Sequence, residues 1–383
     1  MKLFKALLSE LKKIFTDRNS VVMLFIAPVL LTFFIGGVYY NTYINDIPVV
    51  IYDKDDSSMS RRIVQLFEED DRIRVSEYTD SQEGLKLALD NGRAMMGIYI
   101  PENFSKDIAR SRQTGVLAFI NGTNLVISNN AYAQAATIIR TVSASAVVKL
   151  LEAKGIQETK AISLAIPFDY QERMLYDPQQ AYGNYLLFGF IAVFVQQMFL
   201  SGFGFSILKD RKRLAEGNPV AGLLPKFISC LLCLAVSIPV SVLIADRFFG
   251  VAVRGSIPAA FVLTVLFMAA LSCQSILIAC FTGDKVKYAQ VCLMLSLPTF
   301  ISAGYIWPLD QMPYPLVVVL KFLWPLNNFA RPFDEVLFKG LPFTALKGNL
   351  LELLIYFAFW FPVSILLFRR MLLKKDEKCA SIS

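Results

Sequence analysis

The sequence predicts an all-α membrane protein with six transmembrane helices and a mixed α/β domain inserted outside the cytoplasm after the first helix. Three observations support this fold class. The 383 residues are 55% hydrophobic and 18% charged, whereas soluble domains have about 45–50% apolar and about 25% charged residues. The apolar residues form uninterrupted runs close to the roughly 20 residues that cross a bilayer. Basic residues gather beside these runs, which is typical of a topology signal and not of nucleic-acid binding.

The first forty residues predict an interfacial helix followed by a transmembrane helix. Apolar residues between Lys2 and Phe15 fall on one face at helical spacing, so residues 1–18 are predicted to form an amphipathic helix in the cytoplasmic interface. Docking on a cytoplasmic protein is a compatible alternative. The run Ser20–Tyr40 is longer than a signal-peptide core and no small-residue cleavage site follows it. We therefore predict the first transmembrane helix at residues 19–40.

Residues 41–182 are polar and alternate between two kinds of segment. Short runs rich in β-branched and aromatic residues predict strands at Ile47–Tyr52, Arg74–Tyr78, Ala94–Ile100 and Val116–Ile120. Helical spacing predicts helices at Met59–Glu69, Gln82–Asn91, Glu102–Arg110 and Leu125–Ala153. This alternation predicts a compact α/β or α+β domain.

Residues 183–371 are predicted to contain five further transmembrane helices. The apolar runs are Tyr185–Leu208, Phe227–Ala245, Ile257–Phe281, Tyr288–Ile306 and Leu353–Phe368. Residues 307–347 are rich in proline and contain only a short apolar run at Leu316–Leu326. A run of this length is typical of a re-entrant or interfacial segment, whose broken backbone must be buried in protein or line a cavity. Residues 372–383 are predicted to be a cytoplasmic tail.

The placement of Lys and Arg predicts the orientation of the chain. Basic residues are frequent near the N-terminus, at residues 209–226 and at residues 369–378, and they are sparse in the alternate loops. Because short cytoplasmic loops carry the excess of Lys and Arg, both termini are predicted to be cytoplasmic. The polar domain then lies on the other side of the membrane.

Several chemistries are excluded or disfavoured. The chain has no histidine, which excludes histidine-based triads, metal sites and proton relays. It also lacks a GxxxxGK[ST] phosphate loop, so we predict no catalytic residue, no metal and no cofactor on this chain. The predicted spans have no charged residue in their interiors, which argues against proton-coupled transport, although Na⁺ bound by backbone oxygens stays open. Energy for uphill transport would have to enter from another chain.

Two sets of residues are candidates for function. Charged residues at the cytoplasmic surface are candidates for coupling to an ATPase: Lys12, Lys13, Asp17, Arg18, Lys209, Asp210, Arg211, Lys212, Arg213 and Glu216. The alternative is that these residues only fix the orientation of the chain in the membrane. Polar residues and prolines in or near the spans are candidates for a translocation route: Gln196, Gln197, Ser272, Gln274, Pro298, Pro308 and Pro313. The alternatives are that the polar residues form hydrogen bonds between helices and that the prolines kink or end their helices.

Five short motifs occur in a characteristic order along the chain. They are Thr16–Arg18 followed by Pro28, the Asp/Ser-rich turn Asp53–Arg61, the segment Gly97–Ser105, the element Arg173–Pro178, and the element Trp307–Pro313. In these motifs the chain resembles the permease subunits of ABC-2-type exporters, in the branch with a large extracytoplasmic domain after the first span. It departs from that family in three places. Arg211–Gly217 lacks the Gly-Thr pair, Asp177 replaces Asn, and no Pro precedes Gly189 near the start of the second span.

The resemblance implies a permease subunit that moves an amphiphilic substrate, such as a drug or a lipid, outward across a bacterial inner (plasma) membrane. It implies a separate cytoplasmic ATPase subunit that binds ATP and Mg²⁺, and a second permease that is identical or related. Membrane lipids are further expected partners, and a periplasmic adaptor is left open. ATP hydrolysis would move the N-terminal helix and the loop at Lys209–Pro219, and so open a route along the dimer interface.

Two other classes of function remain as alternatives. A membrane receptor or secretion-accessory protein can share this layout without an ATPase, although such proteins usually have longer outer domains. An enzyme could use the acidic pairs Asp55/Asp56 or Asp70/Asp71. We favour solvated turns for both pairs, because no nucleophile or metal-binding set accompanies them.

Overall fold

The computed structural model describes residues 2–40, 44–168, 173–177 and 182–380, with side chains throughout except at residues 2, 182 and 374–380. Pro178 of the fourth motif, the predicted domain limits at residue 41 and near 181, and the last three residues of the predicted tail lie outside the described residues. The chain divides into two compact units. One comprises Met1–Thr42 with Leu175–Ser383, and the other comprises Tyr43–Met174.

Two helices form the N-terminal part of the first unit. Helix α1 covers Lys2–Thr16, and helix α2 covers Arg18–Val38. Asp17 separates them and accepts a hydrogen bond of 2.6 Å from the Ser20 hydroxyl. One turn of α2, Val22–Ile26, is a π-helix and ends two residues before Pro28. Because proline cannot donate to the helical ladder, this wider turn accommodates it within a continuous helix.

The second unit is built on a four-stranded sheet with the order β2-β1-β3-β4. Strands β1 to β3 are parallel and β4 is antiparallel to β3. The strands are β1 Ile47–Asp53, β2 Ile73–Tyr78, β3 Met96–Ile100 and β4 Leu117–Ile120. The helices are α3 Ser58–Glu68, α4 Gln82–Asp90, α5 Phe104–Ala109, α6 Leu125–Ala153 and α7 Glu158–Ala165.

The four strands and four helices predicted between residues 47 and 153 are each present, with small shifts at their ends. Helix α5 begins two residues later than predicted, because Asn103 has a left-handed backbone (φ 62°) that starts the helix only at Phe104. Helix α7 was not predicted. One face of the sheet packs on α3 and α6 through a core that includes Val49, Phe67 and Ile98.

The chain after residue 181 returns to the first unit as a series of helices. These are α8 Tyr182–Lys209, α9 Arg211–Ala215, α10 Pro219–Phe249, α11 Ile257–Thr282 and α12 Lys285–Ser302. Helix α10 is longer than the predicted run Phe227–Ala245. It begins earlier because the Asn218 side chain caps it by accepting from the backbone N–H of Val220, and it ends at Gly250, whose φ of 68° terminates it. As a result, Lys226 and Asp246 belong to this helix.

The remainder of the chain contains a broken segment and a final long helix. Helices α13 Tyr314–Leu323 and α14 Ala330–Asp334 are joined by a 3₁₀ turn at Pro325–Asn328, and α14 continues into a π-turn at Glu335–Lys339. The final helix α15 covers Lys347–Ala380. Leu326, Phe329, Phe333 and Val336 are fully buried, so the irregular backbone of this segment lies inside the protein.

Five helices within the described residues are long and apolar enough to cross a membrane: Arg18–Val38, Gly183–Lys209, Pro219–Phe249, Ile257–Thr282 and Phe343–Leu373. The chain is mostly helical, in line with the predicted all-α membrane protein. The sequence predicts six spans. The remaining predicted span, Tyr288–Ile306, corresponds to α12. This helix has 18 residues, has Lys285 and Lys287 in its first turn, and is not among the five.

Helix α12 is nevertheless fixed firmly in the first unit through Tyr288. The Tyr288 hydroxyl donates to the carbonyl of Leu200 in α8 at 2.8 Å and lies 2.8 Å from the Ser275 hydroxyl in α11. Its ring packs directly on Gly204, where an added Cβ would lie 2.1 Å from the nearest ring atom. The glycine therefore permits the close approach that joins three helices.

Candidate functional site

A buried ion cluster joins α1, the end of α8 and the first turns of α10. Its centre is Lys226, whose side chain is only 2% exposed. The Lys226 ammonium lies 2.8 Å from Glu10 Oε2 and 2.6 Å from Asp210 Oδ2, and it donates to the Ser206 hydroxyl at 3.0 Å. An ammonium group has three N–H donors, so each of them has an acceptor. We call these four residues together with Lys13 the Lys226 cluster.

Lys13 is the second cation of the Lys226 cluster. Its ammonium lies 2.9 Å from Glu10 Oε1 and 2.6 Å from Asp210 Oδ2. Each carboxylate therefore bridges two lysines, one from α1 and one from α10. Arg213 approaches Glu10 from outside at 3.7 Å, with 63% of its side chain exposed, and forms the solvent-facing edge of the site.

The electrostatics of the Lys226 cluster keep Asp210 and Lys13 charged. Burial alone would raise the pKa of Asp210, but hydrogen bonds from Lys13 and Lys226 and their positive charges outweigh it and lower the pKa to about 2. Burial would lower the pKa of Lys13, but its hydrogen bonds to Asp210 and Glu10 outweigh burial and raise it. Both groups are thus ionised at neutral pH.

The Lys226 cluster binds α1 to the bundle in one defined position. Removing one partner of a buried ion pair leaves an uncompensated charge in a poorly hydrated site and typically costs about 3–5 kcal/mol. Ile14 on the same helix is also buried, so an apolar contact supports the ionic one. In contrast, Leu3, Phe4, Leu8 and Phe15 of α1 are about half exposed or more.

The structure brings some of the predicted coupling residues together and leaves others apart. Lys13 and Asp210 are in the Lys226 cluster, and Arg213 lies at its edge. The other predicted residues are not part of it: Lys12, Asp17, Arg18, Lys209, Arg211, Lys212 and Glu216. Sequence reasoning missed Glu10, Ser206 and Lys226. A signal was present for two of them, because Glu10 is the one acidic residue of a basic helix and Lys226 borders an apolar run.

The polar residues predicted for a route form hydrogen bonds inside the bundle. Gln196 donates to the Thr299 hydroxyl at 3.0 Å, which connects α8 with α12, and Gln197 accepts from the Ser296 hydroxyl. Ser272 bonds a carbonyl of its own helix. The prolines Pro298, Pro308 and Pro313 are exposed. These contacts fit the hydrogen-bonding alternative, and a role in a translocation route stays a prediction.

Gln274 has a more specific position at the end of the broken segment. It donates to the carbonyl of Leu323, the last residue of α13, at 2.8 Å. Tyr356 donates to the same carbonyl at 3.1 Å, and Trp360 donates to the carbonyl of Phe322 at 3.0 Å. Helix ends leave carbonyls unpaired, so these donors from α11 and α15 anchor α13 by its C-terminus.

At the end of α10 opposite the Lys226 cluster, a groove of about 250 Å³ separates α10 from α11. Its walls include Ile238 and Pro239 of α10 and Ala260 of α11, and its floor includes Phe333 and Leu337. Asp246 lies at its edge and is the one charged residue among those that line it in the described structure. We call this feature the Asp246 groove. No group of three or more Cys, Asp or Glu within the described ranges is placed to hold a metal ion.

Comparison with known proteins identifies a family and several similar proteins. A family model described as "ABC-2 family transporter protein" matches residues 18–366. The chain is 22% identical over 340 residues to "Inner membrane transport permease YhhJ" of Escherichia coli (strain K12), which covers 85% of this chain and 86% of that protein. It is 30% identical over 104 residues to "ABC transporter G family member 23" of Dictyostelium discoideum. That match covers 27% of this chain and only 15% of that protein.

Proposed function

Because the chain belongs to the ABC-2 family of transporter proteins, we propose that it is the membrane permease subunit of an ABC exporter. It moves an amphiphilic substrate outward, and a separate cytoplasmic subunit hydrolyses the ATP. The observation that carries this proposal is the Lys226 cluster, which links an amphipathic surface helix to the interior of the bundle through buried ion pairs. A permease needs such a connection if it receives its energy from another chain.

The proposed topology has six spans and two cytoplasmic termini. Residues 1–18 form the interfacial helix and residues 19–40 form the first span. Residues 41–182 form an inserted extracytoplasmic α/β domain. Residues 183–371 supply five spans, with α12 as one of them and residues 307–347 as a re-entrant segment, and residues 372–383 form the tail. A bacterial inner membrane is the proposed location, in line with the excess of Lys and Arg at residues 209–226 and 369–378.

The proposed coupling runs from the membrane surface to α10. The ATPase contacts exposed charges on and beside α1 and α9, including Lys12 and Arg213, whose side chains face solvent. Movement of α1 carries Glu10 and Lys13 with it. Because Glu10 and Asp210 both hold Lys226, the start of α10 and the end of α8 must follow. The exposed apolar face of α1 keeps the helix in the interface during this movement.

The proposed partners follow from this mechanism. The permease works as a dimer with a second copy or a related chain, together with the ATPase that binds ATP and Mg²⁺. Membrane lipids surround the spans, and a periplasmic adaptor is a further candidate partner. The chain itself carries no catalytic residue and no cofactor in this proposal, and permease-type relatives agree with a transport subunit rather than an enzyme.

The test is purification of the detergent-solubilised chain from its native host, followed by an ATPase assay. We expect a P-loop ATPase to co-purify. Reversing charge in α9 with Arg211→Glu, Lys212→Glu and Arg213→Glu should abolish this association, while the control Lys347→Glu should leave it intact. If no ATPase co-purifies under conditions that preserve known ABC complexes, the proposal fails and the receptor or accessory alternative takes its place.

A further inference from the structure

We propose that the Asp246 groove binds a small amphiphile with a cationic head group, with the Asp246 carboxylate as the counter-ion and the groove as the site for the apolar body. This inference rests on the proposed exporter function and names the substrate class for it. The class is defined by chemistry: an ammonium group attached to an apolar chain or ring.

The lining of the Asp246 groove selects an apolar body. Apart from Asp246 and Thr264, the residues that line it are apolar. Thr264 uses its hydroxyl internally, because it donates to the carbonyl of Ala260 at 2.7 Å. Besides the Asp246 carboxylate, the side chains of the walls therefore offer few hydrogen-bonding groups to a sugar or a peptide. Burial of a ligand's apolar surface against these walls favours binding by about 25 cal/mol for each Å² removed from water.

The charge of Asp246 selects the head group. Its carboxylate has weak partners: Arg247 Nε lies 3.4 Å away on a side chain that is 76% exposed, and the backbone N–H of Val253 lies at 3.4 Å. These distances lie at or beyond the outer limit of a normal hydrogen bond. A carboxylate beside an apolar surface, with lone pairs left free, attracts a cation, since charges near low-dielectric walls interact more strongly than charges in water.

A charge in a long apolar helix is by default a functional candidate, because it is costly unless something compensates it. Helix α10 has three charged residues, with Lys226 near its start and Asp246 and Arg247 in its last turn. Lys226 has three close partners and is explained by the Lys226 cluster. Asp246 has Arg247 Nε and the Val253 backbone N–H as its partners in the described structure, both at 3.4 Å, and its side chain is 34% exposed. The carboxylate is therefore accessible to the ammonium group of a ligand.

The size and openness of the Asp246 groove limit the ligand. Pockets for drug-sized ligands usually measure about 300–1,000 Å³, and this groove measures about 250 Å³. It therefore holds a small amphiphile or one part of a larger one. Leu243, Ile257 and Phe261 at its rim are each more than half exposed, which leaves it accessible from the surrounding membrane.

The floor of the Asp246 groove connects ligand binding to the broken segment. Phe333 belongs to α14 and Leu337 to the π-turn that follows it. Any movement of this segment changes the depth of the groove. A transport cycle can therefore load and empty this site by moving α14, without separating α10 from α11.

The test uses the full chain with its co-purified ATPase in nanodiscs of digalactosyldiacylglycerol, whose uncharged head group carries no ammonium. The probe is a dansyl-labelled alkyltrimethylammonium, and its fluorescence reports binding. Asp246→Asn should weaken binding of this probe about tenfold, as expected for loss of one charge contact in a partly desolvated site. Asp310→Asn, which removes an exposed carboxylate outside the groove, is the matched control and should bind like the parent chain.

Two further variants separate charge from shape. Asp246→Lys should reverse the preference, so that an alkyl sulfate probe of the same chain length binds better than the ammonium probe. Ala235→Phe, which narrows the groove, should weaken both probes equally. The ATPase is assayed in each preparation, so loss of the ATPase shows failure of the proposed function separately from failure of this inference.

Three outcomes overturn the inference. The first is equal binding of the ammonium probe by the parent chain and Asp246→Asn while the ATPase still co-purifies. The second is no reversal of preference in Asp246→Lys. The third is displacement of the probe by an uncharged alkyl alcohol as effectively as by an unlabelled alkyltrimethylammonium of the same chain length, because the groove would then recognise the apolar chain and not the head group.

Discussion

Lys226 near the start of α10 and Asp246 near its end lie in opposite environments. At one end, Lys226 is 2% exposed and has three partners within 3.0 Å from two other helices and a loop. At the other end, Asp246 lies beside an apolar groove with weak partners at 3.4 Å. The first arrangement joins elements of one chain. The second leaves a carboxylate accessible to a ligand. This difference distinguishes Lys226, which holds the fold together, from Asp246, which is a candidate ligand contact.

The difference has an energetic basis. A buried ammonium loses several kcal/mol of hydration, and only close, complete pairing compensates for that loss. Any change in the Lys226 cluster therefore acts on folding and on the position of α1. A carboxylate that is about one-third exposed keeps much of its hydration, so a change at Asp246 should act mainly on whatever binds there.

The largest expected effect comes from removing the buried cation. Lys226→Met keeps the length of the side chain but leaves Glu10 and Asp210 with Lys13 as their shared cation. We expect a loss of about 3–5 kcal/mol in the free energy of unfolding, because a buried charge loses its partner. Thermal unfolding of the purified chain in detergent measures this loss.

The control for this prediction is Lys347→Met, which removes an exposed lysine at the start of α15. It should change stability by no more than about 0.5 kcal/mol. Adding Glu10→Gln to Lys226→Met should restore part of the lost stability, since it removes one of the unbalanced carboxylates. Equal stability of Lys226→Met and Lys347→Met would mean that the cluster does not hold α1 in place.

The second prediction concerns pH. The pKa of Asp210 is about 2 in the folded chain, against an ordinary value of 3.8. A carboxylate whose pKa is lowered in the folded chain stabilises the fold at pH values above its ordinary pKa. This contribution is lost as the pH falls through the pKa of the folded chain. The pKa of Lys13 is raised above 10.5, so its contribution is complete below that value and is lost at higher pH.

Docking of α1 should therefore stay constant between about pH 5 and pH 9 and weaken between about pH 4 and pH 2. A nitroxide on Ser9→Cys, with Cys280 and Cys379 replaced by Ser, reports the mobility of α1 by electron paramagnetic resonance. In Asp210→Asn the acid transition should disappear and the label should be more mobile at neutral pH. A transition centred near pH 6 would contradict this assignment.

The comparison also shows what the sequence can and cannot predict. Apolar runs such as Tyr185–Leu208 and strands such as Ile47–Tyr52 were predicted because hydropathy and spacing are local properties. The extension of α10 past Lys226 and Asp246 was missed, because charged residues ended the predicted run although the caps at Asn218 and Gly250 lie further out. The Lys226 cluster could not be predicted from local patterns, because Glu10 and Lys226 are 216 residues apart in the sequence.

A third prediction examines the edge of the Lys226 cluster. Arg213 lies 3.7 Å from Glu10 and is 63% exposed, so its ion pair resembles a surface pair, which typically contributes about 0–1 kcal/mol. Arg213→Ala should lower the unfolding free energy by no more than that amount, while it weakens association with the ATPase that we propose as partner. Chemical denaturation and co-purification measure the two effects separately. A stability loss as large as that of Lys226→Met would show that Arg213 belongs to the buried part.

The smallest expected effect on stability is at Asp246. This prediction tests the difference between Asp246 and Lys226 most directly. Asp246→Asn should change the free energy of unfolding by no more than about 0.5 kcal/mol, because the carboxylate is partly hydrated and has no close partner to lose. The same thermal unfolding assay measures it beside Lys226→Met. A loss of several kcal/mol would mean that Asp246 has a structural role like that of Lys226. A neutral change in stability, together with loss of ammonium binding, is the combination that assigns one end of α10 to the fold and the other to the substrate.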